Sequence, residues 1–319
     1  MVLGRLLGEK LSELVVVLFL VSLGTFGLLS LVGGDPSVTL VGQGHPPEDY
    51  ARARTELGLD DPFLTRYWHW LSGALHGDFG NSLVPPQSGV AERIGDALPV
   101  SAQLAVMALV IALAVAVPLA MWSARHAGGW IDRTISAGTF AVLSIPSFLA
   151  GLLLIIVVVN YLGWFPRSQW VRLGDSVPDN LYHAILPAIT ISLLELAMFT
   201  RVLRSDLIST LQEEFILAAR AKGMSNRRIL LSDALRPSSF SLITLMGLSL
   251  GSMIGSTVIV ETLFSLPGMG SLIVRAAQQG DMPMVQGAVL VIGVIYVLVN
   301  GLIDISYGYL DPRSRRAHV

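Results

Sequence analysis

Three carboxylates and one serine pentapeptide are the residues of this sequence that could do chemistry in an apolar surround. Glu195, Glu261 and Asp304 each lie within or at the edge of a long charge-poor run. A charge at the centre of a membrane helix costs roughly 2.5–3.5 kcal/mol on insertion scales, so these side chains are expected to face a bundle interior or a wet cavity. There each is either satisfied by a neighbouring helix or meets a cationic group, such as an ammonium, on its way through. The second candidate, Gly247-Leu-Ser249-Leu-Gly251, has the Gly-x-Ser-x-Gly pattern of a hydrolase nucleophile elbow. An elbow needs a strand-to-helix turn and a base. The pentapeptide sits inside an apolar run, and the histidines at 45, 69, 76, 126, 183 and 318 all lie outside the runs or at an end of one. The same residues continue as Gly247-x-x-x-Gly251-x-x-x-Gly255, the small-residue spacing that lets helices approach closely. A packing or path-lining helix is the stronger expectation. The chain has no cysteine, so disulfides and thiolate metal sites are excluded, and no metal site is expected. A phosphate-binding loop needs Gly-Lys-Ser/Thr, and neither Lys10, after Glu9, nor Lys222, before Gly223, satisfies it.

The elements that position these residues are membrane helices. Of 319 residues 53% are hydrophobic and 14% are charged, against roughly 25% charged in a soluble domain. The net charge of −2 gives no sign of a nucleic-acid partner. About 20 apolar residues of helix cross a bilayer core. Six runs qualify: Leu14–Gly34, Ala97–Ala124, Thr134–Pro166, Ala184–Thr200 (interrupted by Glu195), Pro237–Val260 and Met282–Ile303. The Thr134 run is longer than one span and contains Pro146, so its end near Tyr161-Leu-Gly-Trp164 is expected at an interface. The first run follows a basic start, Arg5 and Lys10, but it exceeds the 7–15 residues typical of a signal peptide and no A-x-A site follows, so it reads as a retained anchor.

Charge sets the orientation. With the N-terminus inside, 14 of the 21 Lys and Arg residues fall on inner segments, which places both termini in the cytoplasm. Residues 35–96 then form an extracytoplasmic region between the 1–34 anchor and a 97–319 core. In it, Pro47 to Leu57 carries a helix start with acids in the first turn and stops at Gly58, and Asp61-Pro62 opens a second helix through Leu75. The Gly77-Asp-Phe-Gly80 cluster turns the chain back. The region is either a solvated cap or a docking surface for an external partner.

The most charged and patterned stretch, EEFILAARAKGMSNRRILLSDALRP from Glu213 to Pro237, falls on the inner side between two apolar runs. Ser209-x-x-Gln212 and Thr210-x-x-Glu213 are capping-box patterns that predict a helix start. Ala218, Ala219, Arg220, Ala221 and Lys222 suit a short helix with cations at its end, and Gly223 is its expected left-handed stop. Ser225 can cap a second helix from Asn226 to about Leu235, with Pro237 marking its end. Ala218, Ala219 and Gly223 would share one face of this helix–turn–helix, leaving a shallow surface for a partner. The plainer reading is a basic interfacial hairpin.

This stretch resembles the EAA loop of ABC importer permeases: Leu217-Ala218-Ala219-x-x-x-Gly223 follows its pattern with Leu217 in place of Glu, and Pro237 falls one residue late. The resemblance extends along nearly the whole chain. Tyr67-Trp-x-Trp-Leu-x-Gly-x-Leu-x-Gly-Asp-Phe-Gly-x-Ser82 is similar to the first outer loop of the dipeptide and oligopeptide subfamily. Glu261-Thr-Leu-Phe-Ser-Leu-Pro-Gly-Met-Gly270 and Asn300-x-x-Asp304-x-x-Tyr307-x-x-Leu-Asp-Pro-Arg313 are similar to its C-terminal signatures, in the "B" permease form. It implies an all-α integral membrane protein with six transmembrane helices, the type I ABC importer permease fold. It further implies a second permease subunit, two cytoplasmic ATPase subunits that grip the EAA-type helices at about 209–236, and an extracytoplasmic substrate-binding protein. The chain itself would then carry no cofactor, with ATP and Mg on the ATPases. The cargo implied is a short peptide, with a nickel complex or glutathione as the alternatives. Coupling to the ATPases would rest on Glu214, Ala218, Ala219, Arg220, Lys222 and Gly223. The path would be lined by Glu195, Gly247, Gly251, Gly255, Glu261 and Asp304. A channel or proton-coupled transporter is the rival class, and it leaves the charged helix pair without a purpose.

Overall fold

The computed structural model describes residues 2–32, 34–166 and 169–310; side chains at 2–11, 13, 32, 251, 252, 254, 256, 302 and 304–310 lie outside that description. The side chain of Asp304 and the Asp311-Pro312-Arg313 ending therefore fall outside the described residues. Thirteen α-helices follow one another among them, with one isolated bridge, Asn81 to Gly89, and no strand. They are α1 (Val2–Val32), α2 (Pro36–Val41), α3 (Pro47–Glu56), α4 (Phe63–Leu75), α5 (Val90–Arg125), α6 (Trp130–Ser144), α7 (Ser147–Leu154), α8 (Val177–Thr210), α9 (Glu214–Ala221), α10 (Asn226–Arg228), α11 (Leu235–Leu263), α12 (Met269–Gln279) and α13 (Met282–Leu310). Wider π-helical turns follow α7 over Ile155–Tyr161 and α10 over Ile229–Ala234.

Four helices among the described residues are long and apolar enough to cross a membrane: α1, α5, α8 and α13. A fifth candidate is the pair formed by α6 with α7 and its π-turn, bent by 102°. The expected single run from Thr134 is therefore not a straight span. Pro146 lacks an amide hydrogen and pushes Ile145 out of the helical region, to φ −96 and ψ 122. The remaining expected run, Pro237–Val260, lies on α11, 29 residues long.

The chain divides into two compact units, Met1–Ser101 with Pro267–Gly301, and Ala102–Leu266 with Leu302–Val319. In the first, Val90, Ile94 and Ala97 of α5 pack with Met269 and Ala276 of α12 and Met284 and Ala288 of α13. Gly287 makes the approach of α13 to α5 possible, since a Cβ there would lie 2.7 Å from Val90 Cγ1. Asp281, buried at the α12–α13 turn, accepts from Ser82 Oγ at 2.5 Å and from Leu83 N at 3.1 Å. Asp35 caps α2 and meets Arg54 at 2.6 Å. Burial pushes its carboxyl up, but hydrogen bonds from Ser37 and Arg54 outweigh that and hold it below the ordinary value. The expected helices over 47–57 and 62–75 are α3 and α4, and Gly58, Gly77 and Gly80 all have positive φ.

In the second unit α8 packs along α11, α6 and α7. Alanines at 112, 116, 120 and 124 form a buried row on α5 against Phe199, Leu203 and Leu207 of α8. Side chains this small let two helices approach closely.

Candidate functional site

The charged segment begins where α8 ends. α8 continues through Thr210, so Ser209 and Thr210 form its last turn rather than a capping box for α9. The N-cap of α9 is Glu213, without a side-chain cap bond. Thr210 is used otherwise: its hydroxyl oxygen accepts from Ser238 Oγ at 2.9 Å, tying the end of α8 to the start of α11. The capping pattern was present in the sequence, but apolar packing carries α8 past it.

Gly223 stops α9 as its position predicts, at φ +78. Gly223 N donates to Arg220 O at 2.9 Å and Met224 N to Ala219 O at 3.2 Å, the paired bonds of a Schellman motif. A Cβ on Gly223 would touch nothing within 4 Å, so only the backbone conformation restricts the position. Ser225 then caps α10, accepting from Arg228 N at 3.4 Å.

The second helix does not end at Pro237. It runs from Asn226 through the π-turn Ile229–Ala234 directly into α11. Leu235 N bonds to Leu230 O, five residues back. Pro237 then sits in the first turn after the change of pitch, where a missing amide hydrogen is tolerated. The segment is thus joined to an apolar helix by continuous helical backbone.

Two side chains plug this assembly into the unit. Ile216 of α9 is 0% exposed and Ile229 1%, both packed with Leu203 and Leu207 of α8, Ala234 and Leu242. Ala219 is half-buried on the same inward side. Glu214, Ala218, Arg220, Lys222 and Gly223 are exposed, so five of the six residues expected at a partner surface are open and Ala219 faces its own core. Beside them stand two large apolar side chains, Phe215 at 50% and Leu217 at 55% exposure. Sequence reasoning noted Leu217 only as a departure from a pattern and missed Phe215. Their signal is position: they flank Ile216, so when it turns inward they cannot.

The same unit holds a charge clamp that spacing did not reveal. Asp132, buried in the first turn of α6, receives Arg204 Nε at 2.5 Å and Nη2 at 2.7 Å, Ser123 Oγ at 2.5 Å and Gly128 N at 2.8 Å. Arg204 of α8 thereby holds the end of α5 and the turn into α6. A bidentate guanidinium with two further donors satisfies both carboxylate oxygens of Asp132.

The expected path residues are distributed as follows. Glu195 on α8 and Glu261 on α11 are both buried. Gly247 is buried and Gly255 open, with nothing within 4 Å of a Cβ, and the surroundings of Gly251 fall outside the described residues. The row of glycines thus differs in exposure from one end to the other. Ser249 is buried within α11, on continuous helix. The strand-to-helix turn that a nucleophile elbow needs is not there.

Residues 116–316 match the family described as binding-protein-dependent transport system inner membrane component, and residues 3–105 match that system's membrane component N-terminal family. A protein of Brucella abortus (strain 2308), assigned as a peptide transport system permease, is 34% identical over 307 residues, covering 96% of this chain and 98% of that protein. A Sinorhizobium fredii protein assigned as a peptide ABC transporter permease is 32% identical over 310 residues, covering 96% and 98%. The nickel import system permease protein NikB of Staphylococcus aureus (strain USA300) is 34% identical over 314 residues, covering 96% and 90%.

Proposed function

This chain belongs to the family of binding-protein-dependent transport system inner membrane components, and we propose that it forms half of the translocation path of an importer for short peptides. It is a multi-pass permease subunit of an ABC importer, not itself an enzyme. In the proposed assembly it pairs with a second permease subunit, two ATPase subunits bind its inner face, and an external binding protein delivers cargo. Both termini are cytoplasmic, which rests on the excess of Lys and Arg on the inner segments. The anchor at 1–34 and the extracytoplasmic region at 35–96 precede a core at 97–319.

The observation that carries the coupling role is the geometry of α9. It offers Glu214, Ala218, Arg220, Lys222 and Gly223 outward while Ile216 is plugged inward, and after the tight turn at Gly223 α10 continues as helix into α11. Ala219 supports that surface from behind. A partner pressing on α9 would move α11 as a lever, because a Schellman turn and a helix resist bending where a flexible loop would absorb the push. Glu195, Gly247, Gly251, Gly255, Glu261 and Asp304 are proposed to line or shape the path, with the acidic groups meeting a peptide ammonium.

The peptide reading is drawn from the Brucella and Sinorhizobium relatives. The nickel permease of equal identity supports a nickel complex as the second reading. Reconstituting the complete transporter in vesicles and comparing ATP-dependent uptake of labelled di- and oligopeptides with that of nickel chelates separates the two. Peptide uptake abolished by Gly223→Val, with the permease pair intact, is the expected result. Uptake without ATP would sink the importer reading.

A further inference from the structure

Helix α4 packs against the apolar window of α1. The apolar window of α1 is Leu14–Leu31, so its midpoint lies between Ser22 and Leu23. At 1.5 Å per residue, Phe26 is about 5 Å beyond that midpoint, and the hydrocarbon edge is about 15 Å beyond it. α4 meets α1 at this level. Phe63, Tyr67 and Trp70, on one face of α4, all surround Phe26, with ring centroids 5.4, 5.5 and 5.8 Å away. Tyr67, 1% exposed, reaches lower still, to Phe19 at 6.1 Å. Its hydroxyl is 2.8 Å from Ser22 Oγ. Ser22 already donates to Phe19 O at 2.9 Å, so Tyr67 is the donor. A tilt of α1 brings these contacts closer to the midplane, not further away.

The next face of α4 is apolar and uncovered. Leu64, Trp68, Leu71 and Leu75 recur at i, i+4, i+7 and i+11, the spacing of one helical stripe. Three of them are exposed, Leu75 at 78%, and Leu71 is half-buried. α1 leaves Leu20, Leu28 and Leu31 open over the same depths. The remaining arc of α4 holds Thr65, Arg66, His69 and Ser72. Arg66 is the one permanent charge on the helix and lies over the Phe26 ring at 5.9 Å. A stripe without charges, at a level where α1 faces hydrocarbon, is solvated by hydrocarbon.

We propose that α4 is a half-bilayer helix: it lies within the leaflet nearer the C-terminal end of α1, with the Leu64–Trp68–Leu71–Leu75 stripe against lipid acyl chains and the Thr65–His69–Ser72 arc turned to the aqueous edge. The region 35–89 is then anchored in the membrane through α4 rather than standing on it wholly as a solvated cap. This inference needs α1 to span, and holds for either orientation of the chain and for any cargo.

The chain has no cysteine, so single nitroxide labels can be placed directly. Leu64→Cys, Trp68→Cys and Leu75→Cys report on the stripe, Thr65→Cys and Ser72→Cys on the polar arc, and Leu20→Cys and Leu28→Cys give the lipid reference on α1. The complete transporter, with any cysteines of its partner chains replaced, is reconstituted in phospholipid vesicles. Label collision with oxygen and with a water-soluble nickel chelate is then measured. The stripe labels should match Leu28→Cys, with oxygen favoured several-fold over chelate, and the arc labels should show the reverse. Stripe labels that favour the chelate would overturn the proposal in favour of a solvated cap. Labels shielded from both reagents would overturn it in favour of a covering protein. Should Trp68→Cys fail to assemble, Leu64→Cys and Leu75→Cys carry the same readout from the ends of the helix.

Discussion

Helices α4 and α9 are two short amphipathic helices, each packed on longer apolar helix, and they are held and exposed in opposite ways. α9 is fixed by the aliphatic plug Ile216, in the same unit as the Asp132–Arg204 clamp, and it leaves open small and charged residues with Phe215 and Leu217 among them. α4 is fixed by an aromatic cluster around Phe26 with one buried hydroxyl pair, and it leaves open Leu64, Trp68 and Leu75. Charges cost little next to water or a folded protein partner and a great deal in hydrocarbon. What each helix leaves exposed therefore indicates the medium it meets.

The comparison breaks most visibly at the clamp. Arg204→Ala leaves Asp132 as a buried carboxylate with two neutral donors, and removing one partner of a buried pair costs about 3–5 kcal/mol. The expected outcome is a large drop in thermal stability of the purified transporter. Removing both groups, Asp132→Ala with Arg204→Ala, should cost less than the sum of the single changes; simple additivity would mean the pair does not act as a unit. Next comes the plug. Ile216→Ala deletes a fully buried side chain at about 2–4 kcal/mol and should free α9, so that ATP hydrolysis loses its response to loaded binding protein. The outward Leu217→Ala should leave stability near wild type.

Gly223→Val sharpens the contrast between strain and packing. The position is open, so the cost is the backbone alone, about 1–3 kcal/mol for a β-branched residue at positive φ. Stimulated hydrolysis should fail while pairing with the second permease survives. Gly223→Asn, which tolerates the left-handed region, should keep both, and equal damage from Asn and Val would mean the turn is not what matters. The smallest effect is expected at Tyr67→Phe. It removes the bond to Ser22 and keeps the rings, for about 1 kcal/mol, read as a small shift in melting temperature with uptake unchanged.

Much of this was legible from spacing because it is local. The helices α3 and α4, the left-handed stops at Gly58 and Gly223 and the Ser225 cap each depend on a few neighbouring residues, whose preferences are set by sterics and by orphan amide groups at helix ends. The long apolar runs are legible for the same reason: a bilayer reads about 20 residues at a time.

Other features were not legible because they are settled between distant segments. Ser209 and Thr210 form a credible cap in isolation, yet packing of Leu203 and Leu207 extends α8 past them. Pro237 reads as a stop, yet the π-turn before it lets the helix continue. Asp132 and Arg204, 72 positions apart, look like ordinary inner-side charges until the fold brings them to 2.5 Å. In α4, Tyr67 and Trp68 are adjacent aromatics in the sequence, and only the depth of Phe26 on α1 separates the buried ring from the open one.

The sequence alone determined that this protein lives in a membrane, where the left-handed stops at Gly58 and Gly223 fall and which family it resembles, since hydropathy, backbone sterics and motif spacing are properties of short stretches. Tertiary structure alone decided which charges pair, which side of α9 is free and how deep α4 lies, because burial and electrostatics depend on what the rest of the chain brings within a few ångströms.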